Sequence, residues 1–507
     1  MPQSPVPVFE PADDVSPTAT TIVVLKPAGP ALGPRAAVLD AEMGGLLSRV
    51  CADPVTLAAS GTCTDIFAPP AASVRRVIVL ALGAPETLDA LSLARAGGAL
   101  AAHLENKGIG EATLVLDPIA GASLSGAEIL ARVALGIRLR RYRFDLRNKR
   151  PVAEADQAWR LALVGAGKAE LAAALARTNA IADGVDYART LVNLPPNHLH
   201  PDSFPDHLDA LREAGIEVEI LDAARLKELG MNALLAVGSG SARAPRVAVL
   251  RYRGKGSGEQ PLAFVGKGVC FDSGGLCIKG GAQMFDMKAD MGGAAAVVGL
   301  LLALARQGSP VHAVGVLGIA ENLPSGTALK PREIITTASG QTVEIFDTDA
   351  EGRLLLADCL YYAASRFEPS AIVDLATLTY SVMRGLGSVF AGLFSTDNAV
   401  AAQMIAAGET VGERFWQLPL DRAYDEGLYS PLADLRHHAK DMEDGDAPYA
   451  AAFLRHFTQG RPWVHLDIAG KELADSDRPL GRQGATAFGV QMLEEWVHNL
   501  NGKHNVA

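Results

Sequence analysis

Residues 262–306 read LAFVGKGVCFDSGGLCIKGGAQMFDMKADMGGAAAVVGLLLALAR and contain, in order, an apolar strand, a polar glycine-rich segment and a helix of small and aliphatic residues. The predicted strand covers Leu262 to Val265, and the predicted helix covers Gly292 to Arg306. Lys267 and Asp272 follow the strand, at the place where open α/β sheets bind their ligands. This stretch therefore predicts an α/β fold with a functional site at the carboxyl end of a strand.

The second half of the chain continues this alternation of strands and helices. Further strands are predicted near Glu217 to Leu221, Arg246 to Tyr252, Ala313 to Ile319, Ala371 to Asp374 and Val464 to Ile468, with helices near Arg353 to Ser365 and Gly484 to Val497. Because strands that alternate with helices form mainly parallel sheets covered on both faces, we predict a large α/β/α domain with a mixed, mainly parallel central sheet. This domain contains the polar clusters and is the predicted catalytic domain.

The first half shows the same alternation on a smaller scale and predicts a small N-terminal α/β domain. Its strands are predicted at Thr21 to Leu25, Arg76 to Leu82 and Ala112 to Leu116, and its helices at Ala36 to Ala52, Leu88 to Asn106 and Gly126 to Arg138. Pro195 and Pro196 cannot continue a helix predicted over residues 169–191, so the second domain starts near them. The predicted division is a loose tail over 1–20, the α/β domain over 21–150, a linker and connecting helix over 151–192, and the catalytic domain over 193–507.

Composition limits the classes of function. The 507 residues are 49% hydrophobic and 20% charged, which is the composition of a folded globular chain. A net charge of −11 disfavours nucleic acid as a partner and leaves peptides or small molecules. Five scattered cysteines without a C-x-x-C pair indicate a reducing compartment, and no apolar stretch is long enough for a membrane span. We therefore expect a cytoplasmic protein with no membrane association.

A second polar cluster has the sequence DTDAEGRL at residues 347–354. Asp349 and Glu351 stand two apart, so in extended chain both carboxylates point to the same side. Gly352 and Arg353 then open a predicted helix, and a helix N-terminus beside a guanidinium group is a site for anions. Carboxylates and an anion site are thus expected side by side.

Charge balance predicts metal ions. Carboxylates gathered in one partly buried pocket repel one another and raise one another's pKa unless cations neutralise them. Two divalent cations balance four carboxylates when Lys267 joins as a neutral amine, and Lys279 can then stay protonated as an electrophile. Oxygen ligands with one amine suit Zn²⁺, Mn²⁺, Co²⁺ or Mg²⁺. The four carboxylates are those of Asp272, Asp290, Asp349 and Glu351.

These segments resemble the leucyl aminopeptidase (cytosol aminopeptidase) family of dinuclear-metal exopeptidases. The family signature NTDAEGRL corresponds to residues 347–354, and its metal segment VGKGxxFDSGG…K…MxxDMGGAA corresponds to residues 265–295. TLVNLPPNHLHP at 190–201 and WVHLDIAG at 463–470 are also similar to family segments. The resemblance covers most of residues 170–507, whereas the first domain is similar only in layout.

The resemblance implies a metal-dependent aminopeptidase that releases N-terminal amino acids by attack of a metal-activated water on the first peptide bond. It implies Lys279 as the group that stabilises the oxyanion and Arg353 as the holder of a bicarbonate proton shuttle. It also implies a homohexamer with peptide substrates and two metals, with Mn²⁺ or Zn²⁺ favoured. The implied metal ligands are Lys267, Asp272, Asp290, Asp349 and Glu351, with Asp272 and Glu351 touching both metals.

The chain departs from the family pattern near the substrate. Tyr380 stands where the family has Gly, and Glu472 stands where it has an apolar residue, which predicts a smaller and more acidic pocket that favours Arg or Lys at the peptide N-terminus. Asp347 replaces Asn in the signature, and DGDAPY at 444–449 replaces a glycine-rich segment. The implied pocket residues are Met287, Thr377, Tyr380, Ala469 and Glu472.

Two alternatives belong to other classes: a DNA-binding regulator built on a peptidase scaffold, and an inactive structural homologue. The acidic net charge argues against the first, and the intact Lys279 and Arg353 argue against the second. His437 and His438 are adjacent and point apart, so we interpret them as a surface pair and not as metal ligands.

Overall fold

The computed structural model describes residues 5–504 apart from 54, 58, 71, 148–157, 256–259 and 440–444. The chain folds into two compact units. The first comprises Met1–Ala182 together with the distant segment Asp475–Gln483, and the second comprises Asp183–Ala474 and Gly484–Ala507.

The first unit is built on a six-stranded sheet in the order β1-β6-β5-β2-β4-β3, parallel except for β3. Its faces are both buried: Val23 and Leu25 point into one apolar cluster, and Ile22 and Val24 into another. This explains why its strands are continuous apolar runs. The elements are β1 Val8–Ala12, β2 Thr21–Pro27, α1 Pro34–Glu42, α2 Leu46–Ala52, β3 Cys63–Phe67, β4 Arg76–Gly83, α3 Ala90–Asn106, β5 Glu111–Leu116, α4 Gly126–Arg141 and β6 Arg160–Val164.

Three details of the first unit differ from the sequence prediction. Residues 8–12, expected in a loose tail, form the edge strand β1, which pairs with β6 and gains backbone hydrogen bonds despite Pro11. Strand β6 lies within the segment predicted as a linker, of which residues 151–157 lie outside the described part. The single helix predicted from 36 to 52 is two helices, because Gly44 and Gly45 have φ of 65° and 82° and turn the chain between them.

A long helix, α5 Lys168–Asn193, follows β6. It was predicted over 169–191, and it ends just before Leu194-Pro195-Pro196, as the double proline requires.

The second unit contains an eight-stranded mixed sheet in the order β15-β14-β17-β13-β9-β10-β8-β7. The four central strands, β17, β13, β9 and β10, are parallel, as predicted for a mainly parallel core. The strands of this unit are β7 Glu217–Leu221, β8 Arg246–Arg253, β9 Leu262–Asp272, β10 His312–Asn322, β11 Ile334–Thr336, β12 Thr342–Glu344, β13 Ala371–Ala376, β14 Ala391–Ser395, β15 Phe415–Gln417, β16 Leu435–Arg436, β17 Trp463–Asp467, β18 Leu473–Ala474 and β19 Gly484–Ala485.

Helices cover both faces of the central strands. Alternate residues of β9 point to opposite sides: Val265 packs in the cluster that includes α11, whereas Phe264 contacts Trp496 of the last helix. The helices are α6 Asp209–Glu213, α7 Ala223–Glu228, α8 Asn232–Val237, α9 Gly281–Met284, α10 Gly292–Arg306, α11 Glu351–Phe367, α12 Tyr380–Leu386, α13 Asn398–Val411, α14 Tyr424–Gly427, α15 Asp446–Arg455 and α16 Val490–His504.

Helix α10 lies against the sheet at backbone distance. A Cβ on Gly266 would lie 2.6 Å from the Cα atom of Ala294, and one on Gly293 would lie 2.0 Å from the carbonyl oxygen of Leu375. Both glycines are therefore required for this approach, which sets the start of α10 beside the carboxyl ends of β9 and β13.

The last helix begins later than predicted. It was expected from Gly484, but Gly484–Ala485 is a strand that pairs with Leu473–Ala474, and the helix starts at Val490. The segment between these two short strands is the one that belongs to the first unit. Among the described residues, no helix is both long enough and apolar enough to cross a membrane.

Candidate active site

The carboxyl ends of three of the four parallel strands, β9, β13 and β17, meet around a cavity of about 770 Å³. Asp272 is the last residue of β9, Thr377 directly follows β13, and Ala469 lies two residues beyond β17. All three line the cavity. Lys267 was expected beyond the strand, but β9 continues to Asp272, so Lys267 lies inside the strand.

Three carboxylates converge at the inner end of this cavity. One oxygen each of Asp272, Asp290 and Glu351 lie within 4.8 Å of one another, and all three residues are buried. Asp272 is fixed by its own loop and by β10, because its Oδ1 accepts hydrogen bonds from Gly274 N (2.9 Å) and Asn322 Nδ2 (2.8 Å). The sequence analysis does not identify Asn322 as a site residue. A polar residue at the end of a buried strand could have indicated that it lies near the site.

Lys267 lies on one side of this carboxylate cluster. Its Nζ is 2.8 Å from Asp290 and from Glu351, and it donates to the carbonyl oxygen of Thr377 at 2.9 Å. Burial lowers the pKa of Lys267, but Asp290, Glu351 and Asp272 together raise it above its ordinary value.

Lys279 lies on another side of the cluster. Its Nζ is 2.9 Å from Asp272 Oδ2 and 2.5 Å from Asp349 Oδ1, and 5.4 Å from the centre of the Tyr380 ring. The side chain is 5% exposed, so its charge faces the carboxylates and the cavity and not bulk water.

Asp349 and Glu351 are not in one extended segment as expected, because Glu351 is already the first residue of α11. Asp349 precedes it in a turn in which Asp347 Oδ1 accepts a hydrogen bond from Asp349 N at 2.9 Å. The two carboxylates therefore contact different lysines, Glu351 with Lys267 and Asp349 with Lys279.

The electrostatics of the cluster fit divalent cations. Burial and the neighbouring carboxylates raise the pKa of Asp349 to about 7 and also raise the pKa of Asp290 and Glu351. Asp290 Oδ2, Asp349 Oδ1 and Glu351 Oε1 are buried without a hydrogen-bond partner among the described residues, although each lies 2.5 to 2.8 Å from a lysine nitrogen. Such carboxylates are the donors that metals require.

Arg353, the residue expected to hold a bicarbonate anion, is hydrogen-bonded to other groups of the chain. The guanidinium group is buried, and Nη1 donates to the carbonyl oxygen of His437 at 3.1 Å. Nη2 donates to Asp446 Oδ2 at 2.6 Å. A carboxylate of the chain itself thus bonds Nη2 of Arg353, whereas Nε is buried without a hydrogen-bond partner among the described residues.

The prediction that His437 and His438 form a surface pair is wrong, since both are buried. Burial and the charge of Arg353 lower the pKa of His437 to about 4, and its Nε2 lies 2.7 Å from the carbonyl oxygen of Asp347. His438 lines the cavity, stacks on Phe346 with ring centres 5.8 Å apart, and places Nε2 3.3 Å from Asp446 Oδ1.

The five expected pocket residues line the same cavity as the carboxylate cluster. Glu472 is the unusual one among them. Burial raises its pKa, hydrogen bonds from nearby backbone N–H groups oppose that shift, and its Oε2 is buried without a hydrogen-bond partner among the described residues. The set is Met287, Thr377, Tyr380, Ala469 and Glu472.

Comparison with family models gives two matches. The model of the cytosol aminopeptidase family, catalytic domain, matches residues 186–494, and that of the N-terminal domain matches residues 22–151. A protein of Agrobacterium fabrum named "Probable cytosol aminopeptidase" is 42% identical over 461 residues, which are 90% of this chain and 92% of that protein. One of the same name from Rhodopseudomonas palustris is 43% identical over 441 residues, covering 86% and 87%.

Two solved structures are similar over nearly the whole chain. The bottromycin maturation enzyme BotP in complex with Mn superposes with a TM-score of 0.80 at 33% identity, over 95% of this chain and 99% of that one. A tomato leucine aminopeptidase mutant superposes with a TM-score of 0.82 at 29% identity, over 98% and 97%.

Proposed function

Because the chain belongs to the cytosol aminopeptidase family and is a metal-dependent aminopeptidase, we propose that its buried carboxylate cluster holds two divalent cations. The observation that carries this proposal is the convergence of Asp272, Asp290 and Glu351 within 4.8 Å. Among the described residues, Asp290 Oδ2 and Glu351 Oε1 also lack a hydrogen-bond partner. The proposed ligands are Lys267, Asp272, Asp290, Asp349 and Glu351, with Asp272 and Glu351 shared by both cations.

The chemistry follows from this arrangement. When bound, the two cations supply Lewis acidity toward the first peptide carbonyl and an activated water as nucleophile. Lys279, which is held between Asp272 and Asp349, stabilises the negative charge that develops on the carbonyl oxygen. Lys279 lines the cavity beside the carboxylates proposed to hold the cations, so its charge lies near the proposed reaction centre.

The substrate pocket supports a preference for peptides with N-terminal Arg or Lys. Glu472 lines the cavity and leaves one buried oxygen without a partner, so a cationic side chain can pair with it. A leucine side chain would instead leave that carboxylate desolvated and unpaired, which costs free energy. Tyr380 narrows the same cavity beside Lys279.

Mn²⁺ and Zn²⁺ are the proposed metals. The oxygen-rich ligand set suits both, and the Mn complex of the similar BotP structure supports the first. Five free cysteines support a cytoplasmic location. The proposed homohexamer rests on the family resemblance alone, and light scattering that gives a mass near 53 kDa would contradict it.

The test is turnover of a panel of aminoacyl p-nitroanilides before chelation, after chelation, and after addition of Mn²⁺, Zn²⁺, Co²⁺ or Mg²⁺. We expect activity to disappear with chelator and to return with Mn²⁺ or Zn²⁺. Equal turnover without metal would refute the dinuclear site, and no turnover with any metal would identify an inactive homologue.

A further inference from the structure

Arg353 and Asp446 form a buried ion pair inside the active-site cavity. Arg353 lies in the first turn of α11, and Asp446 is the first residue of α15, so two separate helices position the pair. Arg353 Nη2 donates to Asp446 Oδ2 at 2.6 Å, and both residues line the cavity that contains the proposed metal ligands.

The second oxygen of Asp446, Oδ1, is buried without a hydrogen-bond partner among the described residues. Oδ1 lies 3.3 Å from Nε2 of His438, whose Nδ1 is 2.9 Å from the carbonyl oxygen of Ala439. Both ring nitrogens of His438 thus face oxygen acceptors. Burial alone would raise the pKa of Asp446, but Arg353 and the two histidines hold it below its ordinary value, so the carboxylate stays charged.

The Asp446 carboxylate competes with a dissolved anion for Arg353, whose Nε is buried without a hydrogen-bond partner among the described residues. Nη1 is already bonded to the carbonyl oxygen of His437, and Nη2 to Asp446. An anion at hydrogen-bond distance from Nη2 would have to lie against the Asp446 carboxylate, and two like charges in a largely buried site repel strongly.

We propose that Asp446 replaces the bicarbonate expected at Arg353, so that this aminopeptidase has a built-in carboxylate and works without a dissolved anion. The inference rests on the proposed function, because it gives Asp446 a part in peptide hydrolysis. Asp446 accepts a proton from the attacking water as the new C–O bond forms, and it returns that proton to the leaving nitrogen as the C–N bond breaks.

The experiment compares wild type with two variants in buffer freed of carbon dioxide, with and without added bicarbonate or formate. Asp446→Gly removes the carboxylate and opens space beside Arg353, whereas Asp446→Asn keeps the side chain's size without its charge. We expect the wild type to be unaffected by bicarbonate. Asp446→Gly should lose roughly 10²-fold in kcat, the low end for a proton-transfer group, and regain much of it with either anion, while Asp446→Asn should lose as much without rescue.

A binding measurement separates this inference from the proposed function. Bicarbonate should raise the thermal unfolding midpoint of Asp446→Gly but not of the wild type, of Asp446→Asn or of the double variant Asp446→Gly with Arg353→Ala. These shifts do not depend on peptidase activity. A wild type whose turnover rises several-fold with bicarbonate, or Asp446 variants with wild-type kcat in anion-free buffer, would overturn the inference.

Discussion

The side chain of Lys267 passes directly over Gly352: a Cβ on Gly352 would lie 2.7 Å from Lys267 Cε and 2.8 Å from its Nζ. Lys267 cannot simply swing away, because its Nζ is held by Asp290 and by the carbonyl oxygen of Thr377. The lysine and the first turn of α11 fit together only because residue 352 has no side chain.

Gly352→Ala should therefore damage the site although alanine favours helices. The alanine would displace Lys267, a proposed metal ligand, so we expect fewer bound metals per chain. The value of kcat/KM should fall about 10-fold or more, which is the effect of losing a group that supports a metal site. Elemental analysis and p-nitroanilide kinetics measure both. Gly326→Ala is the matched control, because a Cβ there meets nothing within 4 Å; equal behaviour of the two variants would contradict the role of Gly352.

Asp272→Asn should lower metal occupancy as well as rate, since an amide is a poorer ligand than the carboxylate that we propose both cations share. The control is Asp286→Asn, because Asp286 lines the same cavity but is not a proposed ligand. Elemental analysis after dialysis should find fewer metals in the first variant only. Two metals retained by Asp272→Asn would rule out a shared ligand at this position.

Lys279→Ala should lower kcat by roughly 10²- to 10³-fold, the scale of losing one preorganised donor to an oxyanion. The KM should change less, because the proposed role lies in the transition state. Lys330→Ala removes an exposed lysine paired with Glu333 and serves as the control. A kcat within threefold of wild type would exclude Lys279 from this role.

Substitution of Glu472 should change substrate preference. We expect Glu472→Met to lower the ratio of kcat/KM for Arg- over Leu-p-nitroanilide, and Glu472→Gln to lower it as well, because the glutamine keeps the size of the side chain without its charge. If only the methionine variant shifts the ratio, size and not charge sets the preference. An unchanged ratio in both would mean that Glu472 does not contact the substrate.

Glu413 should make stability depend on pH. Its Oε2 accepts hydrogen bonds from Gly489 N (3.0 Å) and Met492 N (2.8 Å) at the start of α16, and burial raises its pKa to about 7 from an ordinary value near 4.5. The folded state therefore holds a proton that the unfolded state has lost, so the free energy of unfolding falls as pH rises from about 4.5 to about 7.

Glu413→Gln keeps an oxygen for both N–H groups and removes the titration. Relative to wild type, the variant should gain stability between pH 5 and pH 7, by at most about 1.4 kcal/mol per pH unit. Urea unfolding followed by tryptophan fluorescence at several pH values measures this. Glu333→Gln at the surface should show no such gain, and parallel pH curves for wild type and Glu413→Gln would contradict the prediction.

The central strand and helix of the second unit could be predicted because their apolar sequences match the buried positions that they occupy. The apolar runs alone predict the buried strand Leu262 to Val265 and the helix Gly292–Arg306. A parallel sheet covered by helices buries both of its faces, so its strands and the helices against it are apolar. Strand β1 was not predicted because its proline-containing sequence has a low preference for strands. Its pairing with β6, some 150 residues away along the chain, stabilises it instead.

The carboxylate cluster proposed to hold the metals could be predicted from residue types and spacing, whereas the residues that contact Arg353 could not. Asp446 and His438 come from segments whose sequences indicate only a helix start and a polar turn, and tertiary packing alone brings them to Arg353. Long-range ion pairs of this kind leave no periodic signal in the sequence.

The return of Asp475–Gln483 to the first unit limits how genes for such proteins can recombine. Within that unit, Arg482 pairs with Glu105, and Arg140 pairs with Asp477 at 2.7 Å. A single crossover near residue 183 would take the two members of each pair from different parents. An N-terminal unit is therefore inherited intact only when a second exchange carries this segment with it, so chimaeras with one junction start with mismatched partners.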